Sequence, residues 1–167
     1  MDAVIRRVRP GDENSLAHIQ TESWKAAFRG ILDGETLARA TDIDRATAMY
    51  KRLLDGNKGN GYLLLLDGQP HCLAYWDAAR DEALAGKAEL IAMHSLPGNW
   101  RRGYGGMMMD RVLTDIAAAG YAQVALWVFE KNARARAFYE AKGFRATELV
   151  KTGLGAVEIC YVRVLQG

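Results

Sequence analysis

The segment 122–129 constrains the fold of this 167-residue chain more than any other feature. Nearly all of its residues are apolar, and Gly120 separates it from the helical stretch that comes before it. A short, almost continuous apolar run is expected for a strand that is buried on both faces of a sheet. Helices must then cover both faces of that sheet, so we predict an α/β fold with this strand near its centre.

The segments on either side predict the rest of the arrangement. Helical patterns cover residues 13–28, 36–54 with a break near Thr41 and Asp42, 105–119 and 132–142. Strand patterns cover residues 3–8, 62–66, 71–77, 88–95, 122–129, 144–150 and 157–165, and an Asp-Gly turn follows the second of them. This order predicts one domain over residues 1–167, with a mixed central sheet and helices on both of its faces.

Four residues mark the expected helix ends. Asp12 is predicted to cap the first helix and Gly30 to end it. Asn132 is a suitable N-cap for the last helix, and Gly143 is a suitable residue just beyond its C-terminus.

Composition excludes several classes of protein. The net charge is +2, and Lys and Arg are spread along the chain, which does not favour a nucleic-acid-binding protein. The apolar runs are far below the ~20 residues of a membrane helix, and no apolar stretch of a signal peptide follows the N-terminal arginines, so we expect a cytoplasmic protein. Cys72 and Cys160 lie in apolar stretches without metal-ligand spacing, so we expect no metal.

A glycine-dense loop at residues 97–106 joins a strand to a helix. Backbone N–H groups and the helix dipole at such a junction attract anions, and Arg101 and Arg102 add positive charge there. A pyrophosphate is the natural ligand. The loop lacks the Lys-Ser/Thr of a P-loop, and Met108 stands where the dinucleotide pattern needs its third glycine. A tight turn that binds nothing is the alternative.

The stretch 89–106, ELIAMHSLPGNWRRGYGG, resembles the central strand and pyrophosphate loop of the GNAT superfamily of acyl-CoA-dependent N-acetyltransferases. That family's loop has the pattern Gln/Arg-x-x-Gly-x-Gly/Ala. Gly103 and Gly105 occupy its two small positions, whereas Trp100 stands in the Gln/Arg position. We expect Arg101 and Arg102 to supply the missing charge.

Two further blocks support the resemblance. One is similar to the family's strand–Asn–helix–Phe-Tyr–Gly-Phe block and consists of Leu126, Trp127, Val128, Asn132, Ala135, Phe138, Tyr139, Gly143 and Phe144. The other, SWKAAFRGIL at residues 23–32, is similar to the helix-to-loop segment of a common bacterial branch. The resemblance extends from about Val4 to Leu165 and implies a mixed, mostly antiparallel sheet.

The resemblance also implies acetyl-CoA as co-substrate. The residues that it places at the cofactor are Met93, His94, Ser95, Arg101, Arg102, Gly103, Tyr104, Gly105, Gly106, Asn132 and Tyr139. Of these, Asn132 is implied to lie near the pantetheine arm and Tyr139 near the sulfur of CoA. Backbone N–H groups around Met93 to Ser95 would polarise the thioester carbonyl.

Tyr139 is the candidate general acid for the CoA thiolate, because a phenol keeps its proton at pH 7. A packed aromatic residue is the alternative. His94 is the candidate base, since imidazole has a pKa of about 6.5; a histidine hydrogen-bonded within the sheet, or a base acting through water, is the alternative. Glu89 lies five residues earlier and faces the opposite side of a regular strand, which a bulge would change.

Trp24, Phe28 and Arg29 are the candidates for the acceptor pocket, with Trp76 as a fourth, and core packing is the alternative for each. The acceptor is expected to be a small-molecule or peptide amine. A homodimer is one possible assembly, because many members of the family form dimers. The competing functions are a non-catalytic acyl-CoA sensor of the same fold and a nucleotide-binding protein.

Overall fold

The computed structural model describes residues 2–165. Within that range the strands are β1 (Ala3–Arg7), β2 (Asn60–Leu66), β3 (Gln69–Ala78), β4 (Ala88–Ser95), β5 (Gln123–Phe129), β6 (Arg145–Gly153) and β7 (Ala156–Val164). The α-helices are α1 (Glu13–Ala27), α2 (Gly34–Ala40), α3 (Ile43–Asp55), α4 (Tyr104–Ala118) and α5 (Ala133–Ala141). Short 3-10 turns occupy Glu82–Leu84 and Pro97–Asn99.

The seven strands form one sheet in the order β1-β2-β3-β4-β5-β7-β6. Neighbouring strands are antiparallel except for β4 and β5, which are parallel. Helix α4 packs on one face of the sheet, and α1 and α3 pack on the other. These observations confirm the predicted mixed, mostly antiparallel sheet with helices on both faces.

Strand β5 is buried on both faces, as its apolar run predicts. Val124 and Leu126 belong to the core between the sheet and α4. On the opposite face Ala125 is fully buried, and Phe129 packs against Phe28, the residue that follows α1. Each side of this strand therefore removes apolar surface from water, which is the main favourable term in folding.

The helix ends agree with prediction at α5 and differ at α1. The Asn132 side chain accepts a hydrogen bond from the Ala135 backbone at 3.2 Å, as predicted for an N-cap. Asp12 occupies the N-cap position of α1 but makes no capping bond. Its carboxylate instead accepts from the Arg6 guanidinium at 2.9 Å, so the predicted cap is wrong because a stronger, charged donor competes for it.

Helix α1 also ends earlier than predicted. It finishes at Ala27 with Phe28 as its C-cap, and Gly30, with φ of +85°, lies in the following turn. Within residues 2–165 no helix combines the length and the apolar character that a membrane crossing needs. The same residues hold no cluster of three or more metal-ligating side chains.

Candidate functional site

The parallel strands β4 and β5 pair only where they begin. Ala88 pairs with Val124 and Glu89 with Ala125, and no other register pair joins the two strands within residues 2–165. Beyond these pairs a cavity of about 840 Å³ is lined by residues of both strands. A cavity of that size is within the range of sites for small organic molecules.

A bulge in β4 shapes one wall of this cavity. Tyr75 of β3 pairs with Ala92, but the next residue, Trp76, pairs with Leu90, so Ile91 is an extra residue in β4. Leu90 faces the core beneath α4, whereas Ala92 faces α1 and α3. An inserted residue reverses the alternation of faces beyond it.

The bulge corrects the expectation for a regular strand. Ala88 and Leu90 face α4, so Glu89 between them faces the α1 side. Beyond the bulge, His94 also lies on the α1 side, where it contacts Trp24. Glu89 and His94 therefore share a face. Glu89 is not free to act on a ligand, because Arg80 pairs with it at 2.7 Å.

The glycine-rich loop leads into the N-terminus of α4, at one end of the cavity. Gly103, with φ of +86°, is the N-cap and carries no side chain that could satisfy the first N–H groups of the helix. Gly105 lies beside the Phe138 ring of α5, since a Cβ atom built on it would be 3.4 Å from that ring, an ordinary van der Waals contact. Gly103, Gly105 and Gly106 all line the cavity. The result is a helix N-terminus suited to an anion.

The predicted cofactor residues divide into those that line the cavity and those that do not. Three of the predicted residues that line the cavity lie on β4: Met93, His94 and Ser95. Arg101, Asn132 and Tyr139 line it from other elements. Arg102 is exposed and does not line it. Tyr104 does not line it either and packs against the core beneath α4, because the first turn of the helix directs this side chain inward.

Trp100, the departure from the family's loop pattern, forms two contacts. Its indole N–H donates to the Ser95 carbonyl at 3.0 Å, which ties the loop to the end of β4. The guanidinium carbon of Arg134 lies 3.5 Å from the centre of its ring. Arg134 lines the cavity, and desolvation lowers the pKa of its guanidinium. A positive charge from α5 thus stands beside the residue that replaces Gln/Arg.

Tyr139 lies on the wall formed by α5. Its ring packs against Phe138 and Phe144, with ring centres 5.5 and 5.9 Å away. Desolvation raises the pKa of Tyr139 to about 12, so its hydroxyl keeps the proton at neutral pH. No residue of the described chain forms a hydrogen bond with that hydroxyl, which leaves it free to donate to a ligand.

His94 is bound to α1 and not within the sheet. The Trp24 indole N–H donates to its Nε2 at 3.1 Å, and the two rings meet edge to face. Burial lowers the pKa of His94 to about 4. The imidazole is therefore neutral at pH 7, and its Nε2 lone pair is already engaged. This arrangement does not favour the predicted base.

Two of the four predicted acceptor residues line the cavity. Trp24 and Phe28 do, and Phe28 meets Phe129 edge to face with ring centres 4.9 Å apart. Arg29 is exposed and does not line it. Trp76 is buried in the core beneath α4, where its indole donates to the Tyr62 hydroxyl at 2.9 Å, so core packing accounts for it.

Sequence reasoning did not single out four charged residues of the cavity wall: Asp110, Arg134, Lys142 and Glu158. The alternation of β7 was the signal for Glu158, because it places this residue on the opposite face from Ile159 in the core. For Arg134 the signal was its position two residues after the N-cap Asn132, at the end of α5 that faces the cavity.

Comparison with known proteins gives consistent matches. The family described as FR47-like protein matches residues 71–152. A Mycobacterium tuberculosis protein named "Probable N-acetyltransferase" is 27% identical over 141 residues, which are 84% of this chain and 78% of that protein. The PaiA N-acetyltransferase of Thermoplasma acidophilum, solved with coenzyme A, has a TM-score of 0.84 at 18% identity and covers 99% of this chain and 100% of its own.

A GCN5-related N-acetyltransferase from Rhodopseudomonas palustris has a TM-score of 0.76 at 18% identity, covering 99% of this chain and 97% of its own. At such identities the two structural matches concern the fold. The family match spans β4, the glycine loop, α4, β5 and α5, which form most of the cavity wall. The chain thus matches the FR47-like family over residues 71–152 and has the fold of the GNAT superfamily of N-acetyltransferases.

Proposed function

We propose that this protein transfers an acetyl group from acetyl-CoA to a primary amine by direct attack, with Tyr139 as the general acid. The observation that carries the proposal is the free hydroxyl of Tyr139 in the cavity between β4 and β5. The N-terminus of α4, which has no side-chain cap, lies at one end of the same cavity. The relatives named as N-acetyltransferases support the reaction class.

The cofactor binds along the cavity in this proposal. Its pyrophosphate lies at the N-terminus of α4, between Arg101 and Arg134. Its pantetheine arm lies between β4 and β5, where the strands no longer pair and leave backbone groups of β4 free for a ligand. Asn132 uses its side-chain oxygen as the cap of α5, so its NH₂ group remains for the arm.

The chemistry then divides between backbone and side chain. Backbone N–H groups of β4 around Met93 to Ser95 polarise the thioester carbonyl, a contribution often worth ~3 kcal/mol per donor. As the carbon–sulfur bond breaks, Tyr139 donates its proton to the thiolate. The high pKa of Tyr139 keeps that proton in place until negative charge develops on the sulfur.

A non-catalytic acyl-CoA sensor is the second candidate, and Trp100 in the Gln/Arg position is the observation that favours it. Arg134 stacked on Trp100 counters it, because it adds a positive charge to that of Arg101 beside the residue that replaces Gln/Arg.

A thiol-release assay with acetyl-CoA and a panel of amines tests the proposal. Tyr139→Phe is expected to lower kcat by ~10²-fold or more while CoA still binds, since general acid catalysis contributes about that much. Tyr121→Phe is the matched control, because Tyr121 does not line the cavity. Unchanged turnover in Tyr139→Phe would remove this residue from the mechanism, and tight CoA binding without any thiol release would favour the sensor.

A further inference from the structure

Glu158 places a carboxylate on the wall of the cavity, on the side of the aromatic residues Trp24 and Phe28. It lies on β7, directly opposite Phe129 of β5 and Lys151 of β6. Its neighbour Ile159 faces the core beneath α4, so Glu158 faces the α1 side. The carboxylate and the aromatic wall therefore border the same part of the cavity.

This carboxylate differs from the other acidic groups near the cavity in having no partner. Asp110 pairs with Lys142 at 3.1 Å, and Glu89 pairs with Arg80 at 2.7 Å. Among residues 2–165, none forms a hydrogen bond or ion pair with the side-chain carboxylate of Glu158. A partly buried carboxylate without a partner is costly unless a ligand compensates for the lost hydration.

Three charged groups face Glu158 from neighbouring elements: Lys151 on β6, Arg80 after β3 and Glu89 on β4. Lys151 is directed elsewhere, since it lies 3.8 Å from Asp81 and 4.2 Å from the centre of the Trp127 ring. Burial raises the pKa of Glu158, and Lys151 and Arg80 partly oppose that change. Glu158 is thus a stronger base than an exposed glutamate.

The neighbouring glycine leaves room for this carboxylate. Gly153, at the end of β6, also lines the cavity, and a Cβ atom built on it would overlap the Oε2 atom of Glu158. Any other residue at this position would displace the carboxylate, which is the flexible end of the Glu158 side chain. The position of Glu158 at the cavity wall therefore depends on a glycine beside it.

An amine acceptor presents a proton problem that the other groups of the cavity do not solve. A free alkylamine has a pKa of about 10, so it arrives at neutral pH as an ammonium ion. His94 cannot accept its proton readily, because its Nε2 is occupied and its pKa is about 4. Tyr139 is needed as the acid.

We infer that Glu158 receives the ammonium group of the acceptor and takes its proton, so that the acceptor is a primary alkylamine that enters as a cation. This inference rests on the proposed acetyl transfer. The aromatic side chains Trp24, Phe28 and Phe129 hold the apolar stem of the amine and favour its cationic head.

The proton and electron pairs balance in three steps. The carboxylate of Glu158 takes a proton from the ammonium ion, and the neutral nitrogen forms a bond to the thioester carbon. The carbon–sulfur bond breaks as the carbonyl re-forms, and the sulfur takes the proton of Tyr139. The second proton of the attacking nitrogen returns to the Tyr139 oxygen, and Glu158 releases its proton to solvent.

The test compares Glu158→Gln with the wild type in the thiol-release assay from about pH 6 to about pH 9, a range in which alkylamines are mainly protonated. Glutamine keeps the shape of the side chain and removes the base. We expect kcat to fall by about 10²-fold near pH 7 with the best alkylamine of the panel. Glu148→Gln is the matched control, since Glu148 is exposed and does not line the cavity.

The pH profile separates a base from a group that only binds the cation. Wild-type kcat/KM is expected to be flat between the pKa of Glu158 and that of the amine, because the reacting pair is carboxylate and ammonium. In Glu158→Gln it should rise about tenfold per pH unit, because only the free amine reacts. A fluorinated, weakly basic analogue of the same amine should restore most of the turnover of the variant, which also shows that the variant is folded.

Three results would overturn the inference. Identical pH profiles for wild type and Glu158→Gln would remove Glu158 from proton transfer while leaving the acetyltransferase intact. A raised KM with unchanged kcat would make it a binding group only. Absence of thiol release from the wild type with every amine, despite CoA binding, would overturn the proposed function together with this inference.

Discussion

Replacing Arg134 by Met tests whether α5 compensates for Trp100 in the glycine loop. Methionine keeps the length of an unbranched stem and removes the charge. The guanidinium carbon lies 3.5 Å from the centre of the Trp100 ring and at the cavity wall. No carboxylate pairs with Arg134 within the described residues. Since the fold leaves this cation without an anion, we expect it to bind the pyrophosphate of CoA.

The magnitude follows from the partial exposure of Arg134. A hydrogen bond to a charged group contributes about 1.5–3 kcal/mol, and an exposed guanidinium belongs at the lower end of that range. A change of ~1.4 kcal/mol is tenfold in Kd, so Arg134→Met should weaken CoA about tenfold. At a CoA concentration of ~100 times the wild-type Kd, ligand stabilisation falls from ~2.7 to ~1.4 kcal/mol. The rise in Tm on adding CoA should then shrink by roughly 3–5 °C.

Thermal unfolding with CoA and with pantetheine measures this effect. Pantetheine lacks the pyrophosphate, so its binding should not change in Arg134→Met. Arg145→Met is the matched control, because Arg145 is an exposed arginine of β6 that does not line the cavity. An equal loss for both ligands would mean that Arg134 supports the loop through Trp100 and does not contact the pyrophosphate. An unchanged affinity for CoA would refute the reasoning altogether.

Two further predictions concern buried groups. Burial lowers the pKa of His94 to about 4, against about 6.5 in the unfolded chain, so the unfolded state binds more protons between these values. The free energy of unfolding should therefore fall by roughly 3 kcal/mol from this group as pH drops from 6.5 to 4. Urea titrations of His94→Gln at several pH values should lack this part of the pH dependence. A pH dependence equal to that of the wild type would contradict the burial argument. Arg80→Met removes the charged partner of the Glu89 side chain, which is 2% exposed, and leaves it the backbone N–H of residue 80 as a donor, so it should cost about 3 kcal/mol in urea unfolding. Arg80→Met/Glu89→Gln should recover much of this loss, and no recovery would mean that Arg80 acts through packing.

The order of elements could be predicted because its signals are local. The apolar run of β5, the helical spacing in α1 and α4, and the Asn132 cap of α5 each depend on residues a few positions apart. The resemblance to a known family then placed the cofactor loop and Tyr139, which both line the cavity. The single domain, the homodimer and the cytoplasmic location stay predictions, as do the catalytic and binding functions of the individual residues.

The site was predicted less completely than the fold. Arg102 was chosen for its charge and Arg29 because it lies in the segment similar to the family's helix-to-loop segment, yet neither lines the cavity. The sequence places a side chain on one face of an element only while that element is regular. The extra residue Ile91 reverses the faces of β4 beyond it, and this reversal brings His94 to the same side as Glu89.

The sequence by itself determined which segments are strands and helices, where a helix N-terminus meets a glycine loop, and the family to which these patterns point. The tertiary structure decided which side chains share the cavity. Trp24 and His94 are 70 positions apart, Trp100 and Arg134 lie on different elements, and Glu158 comes from the last strand. Helix and strand patterns depend on neighbours in sequence. Contacts between side chains that are distant in sequence depend on the twist of the sheet, on the bulge in β4 and on how the helices pack against the sheet.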